Sequence, residues 1–134
     1  MQWSKEPYAG FSTHTPWLSV IDNYPSINVE QALQDETSIF YHYQKLIALR
    51  KQYRLIQEGS YEPLDEHHPS VFAYKRRLGK EELLVVNNFY AKETVICVAD
   101  CQDYTVLLSN YADSSLASLE KLRPYESIVF YRNR

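Results

Sequence analysis

Adjacent acidic residues are the first groups in this sequence that could do acid–base chemistry. They form three neighbouring pairs, Asp35–Glu36, Asp65–Glu66 and Glu81–Glu82. A general acid and a general base must converge in one dry cleft, whereas neighbours along a strand or helix point to different faces. We therefore predict that these carboxylates cap helices or lie in solvated turns, and that the chain contains no catalytic residue.

Histidine and cysteine are the residues from which a metal site could be built. The chain has two cysteines and four histidines: Cys97, Cys101, His14, His42, His67 and His68. Structural zinc takes four ligands at characteristic spacings, and the histidines lie far from the cysteines in sequence. We therefore predict no metal and no cofactor, and interpret both cysteines as free thiols.

Two short motifs could bind a ligand through their side chains. The run His67–Pro69 is either a binding tip or a solvated hairpin, and a histidine pair before proline in a charged turn favours the hairpin. Trp3 and Trp17 lie in an irregular segment, where a large amphipathic ring is either buried or offered to a sugar. Burial is the favoured interpretation for both rings.

Composition excludes several classes of protein. The 134 residues carry a formal net charge of -3, and their longest basic run is Lys75–Arg77, which argues against nucleic acid as a partner. No apolar run approaches the roughly 20 residues that a membrane span needs, and no signal-peptide pattern is present. We expect a cytoplasmic globular protein with neither nucleic acid nor membrane as a partner.

The N-terminal 53 residues predict an irregular segment followed by helix. Prolines interrupt the first 34 residues, and Asn28 is placed to cap a short helix that ends near Gln34. A longer helix is predicted from Asp35, which caps its first turn, to about Tyr53. Its apolar residues form a wide stripe along one face: Ile39, Phe40, Tyr43, Leu46 and Ile47. We expect the C-terminal sheet or a second copy of the chain to cover this stripe.

After residue 57 the sequence is typical of short antiparallel strands. Segments rich in β-branched and aromatic residues alternate with turn signals, and no βαβ alternation occurs. The predicted strands are residues 60–64, 71–77, 82–89, 94–98, 104–109 and 127–132. The continuous apolar run Leu83–Val86 predicts a central strand covered on both faces. The predicted fold is mainly β, an antiparallel β-sandwich.

Several of these segments resemble one enzyme family. The resemblance is carried by Met1-Gln2-Trp3-Ser4, Ala9-Gly10-Phe11-Ser12, Thr15-Pro16-Trp17-Leu18, Ile27-Asn28-Val29, Lys45-Leu46-Ile47-Ala48-Leu49-Arg50-Lys51, Val71-Phe72-Ala73-Tyr74, Leu84-Val85-Val86-Asn87-Asn88-Phe89 and Arg123-Pro124-Tyr125-Glu126. These segments are similar to the C-terminal part of α-glucosidases in glycoside hydrolase family 13, in the group of the oligo-1,6-glucosidases, dextran glucosidases and trehalose-6-phosphate hydrolases. The resemblance covers essentially the whole chain.

The resemblance implies a domain organisation and a function. Residues 1–55 would be the last loop and helix of a (β/α)8 catalytic barrel, and residues 56–134 an α-amylase-type C-terminal β-sandwich. The complete enzyme would be a retaining α-glucosidase acting on α-1,6 or related bonds of oligosaccharides. Its aspartate nucleophile, glutamate acid/base and second aspartate would all precede Met1, so we expect none of the catalytic residues to lie in this chain.

The resemblance also implies partners and a site. Met1, Gln2 and Trp3 would support the rim of the substrate pocket at the mouth of the barrel. The partner would be the missing barrel, on the same polypeptide or on a separate chain. The substrate of the full enzyme would be an oligosaccharide. Self-association through the helix stripe is a further expectation.

A different class of function stays open at this point. A free-standing carbohydrate-binding or interaction β-sandwich would use tyrosines as stacking platforms, and it would need several rings coplanar on one exposed face. The candidates are Tyr61, Tyr74, Tyr90, Tyr104, Tyr111, Tyr125 and Tyr131. Strand alternation predicts that they are scattered over both faces of the sheet.

Overall fold

The computed structural model describes residues 1–134, which form two compact units, Met1–Leu49 and Arg50–Arg134. The first unit is irregular up to Asn28 apart from a 3-10 turn at Pro7–Gly10. Helix α1 spans Val29–Gln34, and the side chain of Asn28 accepts a hydrogen bond from the amide of Gln31. The predicted cap and the predicted end of this helix are therefore both confirmed.

Helix α2 spans Ile39–Gln52 and begins four residues later than predicted. Asp35 does not cap it. Instead, the Asp35 carboxylate accepts hydrogen bonds from the hydroxyl and the amide of Thr37, at 2.7 and 2.8 Å. These two bonds hold the pKa of Asp35 below its usual value. The Ser38 amide also donates to the Asp35 carbonyl, so residues 35–38 form a turn between the two helices.

The apolar stripe of α2 is exposed to solvent along its length. All five of its side chains are exposed, and four of them line a shallow groove of about 380 Å³ together with Gln44. The expectation that the stripe is buried within this chain is therefore wrong. Its burial against a second copy stays a prediction.

The second unit is built on one antiparallel sheet of five strands. The strands are β1 Glu62–Leu64, β2 Val71–Leu78, β3 Glu81–Asn88, β4 Thr105–Ser109 and β5 Ser127–Asn133, in the order β1-β2-β3-β5-β4. A single helical turn, α3 (Leu55–Glu58), precedes them. The predicted antiparallel, mainly β fold is confirmed, and β3 is the central strand as predicted.

Irregular chain forms the second layer of the fold. Segment 94–98, predicted as a strand, makes only an isolated bridge between Thr94 and Leu122. The ladder stops there because the opposing chain turns into a 3-10 helix at Leu116–Glu120, which leaves Ile96 a single bond to the carbonyl of Leu119. Ile96, Leu119 and Leu122 are nevertheless buried in the core against the sheet.

Strand β3 is covered on both faces, as its apolar run predicts. Leu84 and Val86 belong to the core cluster, whereas Leu83 and Val85 point to the opposite face. On that opposite face α3 contacts β2 and β3, and its Leu55 is completely buried.

Glu82 contradicts the prediction that the paired acidic residues lie in solvated turns. It shares the core face with Leu84 and is buried at the end of the sheet. Its carboxylate accepts hydrogen bonds from Arg132 at 2.8 Å, from Arg77 at 2.6 Å and from the Tyr104 hydroxyl. Burial opposes its ionisation, but these bonds and the arginine charges outweigh it and hold the pKa of Glu82 below its usual value.

Arg132 extends this charged cluster to the loop that precedes β4. Its guanidinium donates to the Asp100 carboxylate at 3.0 Å, to the Asp100 carbonyl at 2.9 Å and to the Gln102 carbonyl at 3.0 Å. Arg134 also binds the Asp100 carboxylate. The buried cluster therefore fastens an irregular loop to the central strands.

The run His67–Pro69 lies in the connection between the antiparallel strands β1 and β2, so the predicted hairpin is confirmed, but within it His68 is half-buried and has a structural role. Its Nδ1 accepts hydrogen bonds from the amides of Ser70 and Val71, at 3.1 and 2.9 Å. Nε2 must then carry the proton, and it lies 3.0 Å from the carbonyl of Val95, to which it donates. His67 is exposed and makes no such bonds.

We expect His68→Ala to lower the free energy of unfolding by about 2 kcal/mol. Three hydrogen bonds of about 0.5–1.5 kcal/mol each are lost, and bonds to water replace them in part. Urea denaturation followed by circular dichroism measures this change. The neighbouring substitution His67→Ala is the matched control and should leave stability unchanged. Equal effects of the two substitutions would contradict the role of His68.

Asp100 makes stability depend on pH in acid. Hydrogen bonds from Arg132 and Arg134 lower its pKa from 3.8 to about 2. A lowered folded-state pKa contributes stability above the unfolded value, and this stability is lost as pH falls from about 4 to about 2. Asp100→Asn should therefore lose less stability than the unsubstituted chain over that interval in thermal unfolding scans.

Asp103→Asn is the control, because Asp103 lies in the same loop and makes no side-chain hydrogen bond. Its acid profile should match that of the unsubstituted chain. An unchanged profile for Asp100→Asn would show that the ion pairs of Asp100 do not stabilise the fold.

Candidate functional site: the N-terminal rim

The backbone of Gln2 and Trp3 is held by the first turn of α1. The amide of Val29 donates to the Gln2 carbonyl at 3.0 Å, and the amide of Glu30 donates to the Trp3 carbonyl at 2.9 Å. Amides in the first turn of a helix have no partner within the helix. Asn28 satisfies the next one, on Gln31, so the capped helix positions the segment that was predicted as a pocket rim.

The side chain of Gln2 is oriented by two further hydrogen bonds. Its Nε2 donates to Asn23 Oδ1 at 3.2 Å and to the carbonyl of Ile27. Asn28 Nδ2 in turn donates to the carbonyl of Tyr24 at 2.9 Å, which closes the turn that carries Asn23. Gln2 Oε1 makes no hydrogen bond within the chain and is left as an acceptor.

A tight turn fixes the other side of this segment. The amides of Trp3 and Ser4 both donate to the carbonyl of Ala9, at 2.9 and 3.2 Å. Residues 8–10 all have positive φ, a conformation that only glycine adopts without cost. A Cβ at Gly10 would lie 2.6 Å from Ser4 Oγ, so a larger residue there would also have to displace the serine hydroxyl.

Met1 and Gln2 line an open cavity of about 420 Å³. The other lining residues are Phe11, Pro16, Trp17, Leu18, Ser19, Val20 and Ile21. Trp3, the third predicted rim residue, is not among them. The lining contains no carboxylate, histidine or cysteine, so this surface can contact a ligand through apolar groups, the Gln2 amide and the Ser19 hydroxyl, but it has no side chain that could act as a general acid or base and none that could activate the serine.

The tryptophans do not act as buried staples. Trp17 is 93% exposed and Trp3 is 48% exposed. The favoured interpretation of burial is therefore wrong for both rings, and nothing in the chain packs over that of Trp17.

The candidate tyrosines do not form one stacking surface. Tyr104 is buried in the core and Tyr131 packs on Tyr53 at a centroid distance of 5.0 Å. The guanidinium of Arg123 lies over the Tyr111 ring, 3.9 Å from the ring centroid.

The remaining four candidates are exposed or half-buried. Tyr90 and Tyr125 are exposed and have no aromatic neighbour. Among the seven candidates only Tyr61 and Tyr74 pair with each other, and their ring planes are tilted by 39°. The scatter over both faces is as predicted.

A second buried carboxylate, Glu126, was not predicted from the sequence. It is fully buried and accepts hydrogen bonds from Arg123 at 2.7 Å and from Ser114 at 2.6 Å. Arg123 also pairs with Asp113 at 2.6 Å. Burial opposes ionisation of Glu126, but these bonds keep its pKa below the usual value. The cluster is internally paired and fastens the 110–126 segment, which is a structural role. Its sequence signal is the short spacing Arg123 to Glu126.

No group of three or more histidine, cysteine or acidic side chains in the chain is arranged to hold a metal ion. None of the helices is long and apolar enough to cross a membrane.

Comparison with known proteins defines the class. Residues 1–59 match the α-amylase catalytic domain, and residues 71–129 match the C-terminal domain of the α-amylase SusG. The chain is 48% identical to an oligo-1,6-glucosidase of Halalkalibacterium halodurans, covering 97% of the chain and 24% of the relative. It is 45% identical to a trehalose-6-phosphate hydrolase of Bacillus subtilis, with the same coverage.

Solved structures agree with these matches. The trehalose-6-phosphate hydrolase of Bacillus licheniformis superposes with a TM-score of 0.93 at 43% identity, covering 99% of this chain and 25% of that one. The trehalulose synthase MutB of Pseudomonas mesoacidophila superposes with a TM-score of 0.87 at 30% identity, covering 97% of this chain and 24% of that one. The fold is thus that of carbohydrate-active enzymes of the α-amylase type.

The chain belongs to glycoside hydrolase family 13. It spans about a quarter of the length of the curated relatives it matches and corresponds to their C-terminal part.

The cap of α1 should control the order of the rim segment. We expect Asn28→Ala to weaken α1 by about 1 kcal/mol, since the acceptor for the Gln31 amide is lost. Hydrogen exchange at the amides of Val29, Glu30 and Gln31 should accelerate. Asn28→Asp keeps that acceptor and should retain most of the protection, whereas equal acceleration in both variants would show that the cap does not order the rim.

Proposed function

We propose that this chain is the C-terminal segment of a retaining α-glucosidase that hydrolyses α-1,6 or related glucosidic bonds of oligosaccharides. In this proposal the segment has a structural role and supplies no catalytic residue. The names of its relatives support a glucoside as substrate.

The observation that carries the structural role is the composition of the rim cavity. A retaining glycosidase needs two carboxyl groups about 5 Å apart at the scissile bond, and no acidic residue lines the cavity at Met1 and Gln2. The two buried carboxylates, Glu82 and Glu126, are each paired with arginine in the C-terminal unit. In this proposal the nucleophile and the acid/base belong to the part of the enzyme outside these 134 residues.

The domain assignment forms part of the proposal. Residues 1–55 are the last loop and helix of a (β/α)8 barrel, and residues 56–134 are the C-terminal domain. The exposed stripe of α2 supports a barrel as partner, on the same polypeptide or on a separate chain. Five large apolar side chains at about 1.5–3 kcal/mol each represent on the order of 10 kcal/mol of burial, which is comparable with the stability of a whole domain.

The proposal also assigns Met1, Gln2 and Trp3 to the rim of the substrate pocket. Met1 and Gln2 line the cavity. Trp3 does not line it, but the backbone hydrogen bonds of Trp3 with Ala9 and Glu30 fix the position of the segment. Gln2 Oε1 is the free acceptor that could meet a sugar hydroxyl. Self-association through the stripe and a cytoplasmic location remain predictions from the sequence.

The proposal is tested with the 134-residue chain and with a fusion in which it replaces the corresponding C-terminal quarter of the Halalkalibacterium oligo-1,6-glucosidase. We expect the fusion to hydrolyse p-nitrophenyl α-glucoside and isomaltose, and the chain alone to show no turnover. The upstream part of the relative, produced without any C-terminal segment, should be inactive or poorly folded.

A matched pair of stripe variants completes this test. Ile47→Asp should lower the yield and the unfolding temperature of the fusion, because it places a charge in the stripe that the barrel would bury. Lys45→Asp lies on the opposite face of α2 and should have little effect. Turnover by the 134-residue chain alone would overturn the placement of the chemistry outside it.

A further inference from the structure

Four aromatic side chains form a continuous row on the face of the sheet opposite the core. The row consists of Tyr61, just before β1, Phe72 and Tyr74 on β2, and Phe89, just after β3. Its successive ring centroids lie 5.3 Å (Tyr61–Tyr74), 5.6 Å (Tyr74–Phe72) and 6.4 Å (Phe72–Phe89) apart. Phe72 and Tyr74 alternate with Val71 and Ala73, which belong to the core, so the strand period places the row on the outer face.

The row is uncovered in this chain. Tyr61, Phe72 and Phe89 are 54%, 46% and 63% exposed, and the hydroxyls of Tyr61 and Tyr74 make no hydrogen bond. The same face is covered elsewhere, since Leu83 is buried and α3 packs against β2 and β3 with Leu55 fully buried. The row is thus the uncovered part of a sheet face that is buried elsewhere.

The geometry of the rings favours a protein surface over a sugar as occupant. The interplanar angles along the row are 39°, 55° and 46°, so the rings form an undulating surface and not a flat platform. Rings of 150–250 Å² exposed to this extent present an apolar patch on the order of 300 Å². That is a large part of the roughly 800 Å² that each partner buries in a stable protein interface.

We propose that the aromatic row is the surface on which the C-terminal unit docks against the part of the enzyme that lies outside this chain. The inference rests on the proposed function, which supplies the partner: the remaining three quarters of the length of the relatives. The row would be the apolar centre of that interface, and the two unbonded phenol hydroxyls would find polar partners at its rim.

Hydroxyl-radical footprinting with mass spectrometry tests the docking directly and independently of activity. The probe is applied to the 134-residue chain and to the fusion described above. We expect oxidation of Phe72 and Phe89 to be several-fold slower in the fusion than in the chain alone. Tyr125 is the internal control, because its ring is equally exposed (59%) and has no aromatic neighbour, and it should react equally in both.

The outcomes separate the docking from the proposed function. Protection of the row in an inactive fusion would support the docking while contradicting the function, and an active fusion with an unprotected row would do the reverse. Protection of the chain alone by isomaltose would overturn the docking in favour of a sugar site. Protection that rises with the concentration of the chain alone would overturn it in favour of a second copy.

A pair of substitutions checks the same surface by stability. Phe72→Ser combined with Phe89→Ser should lower the unfolding temperature of the fusion more than that of the chain alone, because only the fusion loses an interface. Tyr125→Ser should leave both unchanged. Equal shifts in fusion and chain would show that the row stabilises only its own sheet and would overturn the docking.

Discussion

Burial of β3 on both faces is the constraint on which the C-terminal unit depends. A strand in the centre of a sheet with apolar side chains on both sides requires a cover on each face. On one face the irregular segments around Ile96 and Leu122 provide it, and on the other Leu55 of the short helix α3 provides part of it. The unit therefore has one complete core and one face that is complete only near Leu83, which leaves the aromatic row open.

Charged and polar side chains, together with the buried apolar residues Ile96, Leu119 and Leu122, hold the irregular chain in place as a layer of this fold. Arg132 binds the Asp100 loop through both its carboxylate and its carbonyl, Arg123 and Glu126 hold the 110–126 segment, and His68 ties the start of β2 to the carbonyl of Val95. Each buried charge is paired, which avoids the large cost of an unpaired ion in a low-dielectric interior. The segments thereby gain the order that a ladder of strand hydrogen bonds would otherwise supply.

The N-terminal unit follows a similar principle with backbone groups. The free amides of the first turn of α1 bind the carbonyls of Gln2 and Trp3, and the Ala9 carbonyl binds their other side. An otherwise irregular segment is thereby held in one conformation, and the cavity beside it is lined by no carboxylate or histidine that could act as a general acid or base. Its two apolar surfaces, the cavity at Met1 and the stripe on α2, are both open to solvent in this chain.

The sequence by itself determined the features that arise from local pattern. The cap at Asn28, the end of α1 at Gln34, the central position of the Leu83–Val86 run and the family all follow from residue types and short spacings, because these features depend on neighbours in the chain. Of the predicted rim, Met1 and Gln2 lie at the cavity, and their role there is a proposal.

Only the tertiary structure decided which polar residues are buried and which apolar residues are not. Glu82 meets Arg132 across 50 positions of sequence, and His68 meets Val95 across 27, so no local pattern could pair them. Segment 94–98 has the composition of a strand but lacks a strand partner, since residues 116–120 form a 3-10 turn opposite it. Trp17 and the α2 stripe have the composition of buried residues, yet they are exposed because burial depends on a facing surface, which these 134 residues do not provide.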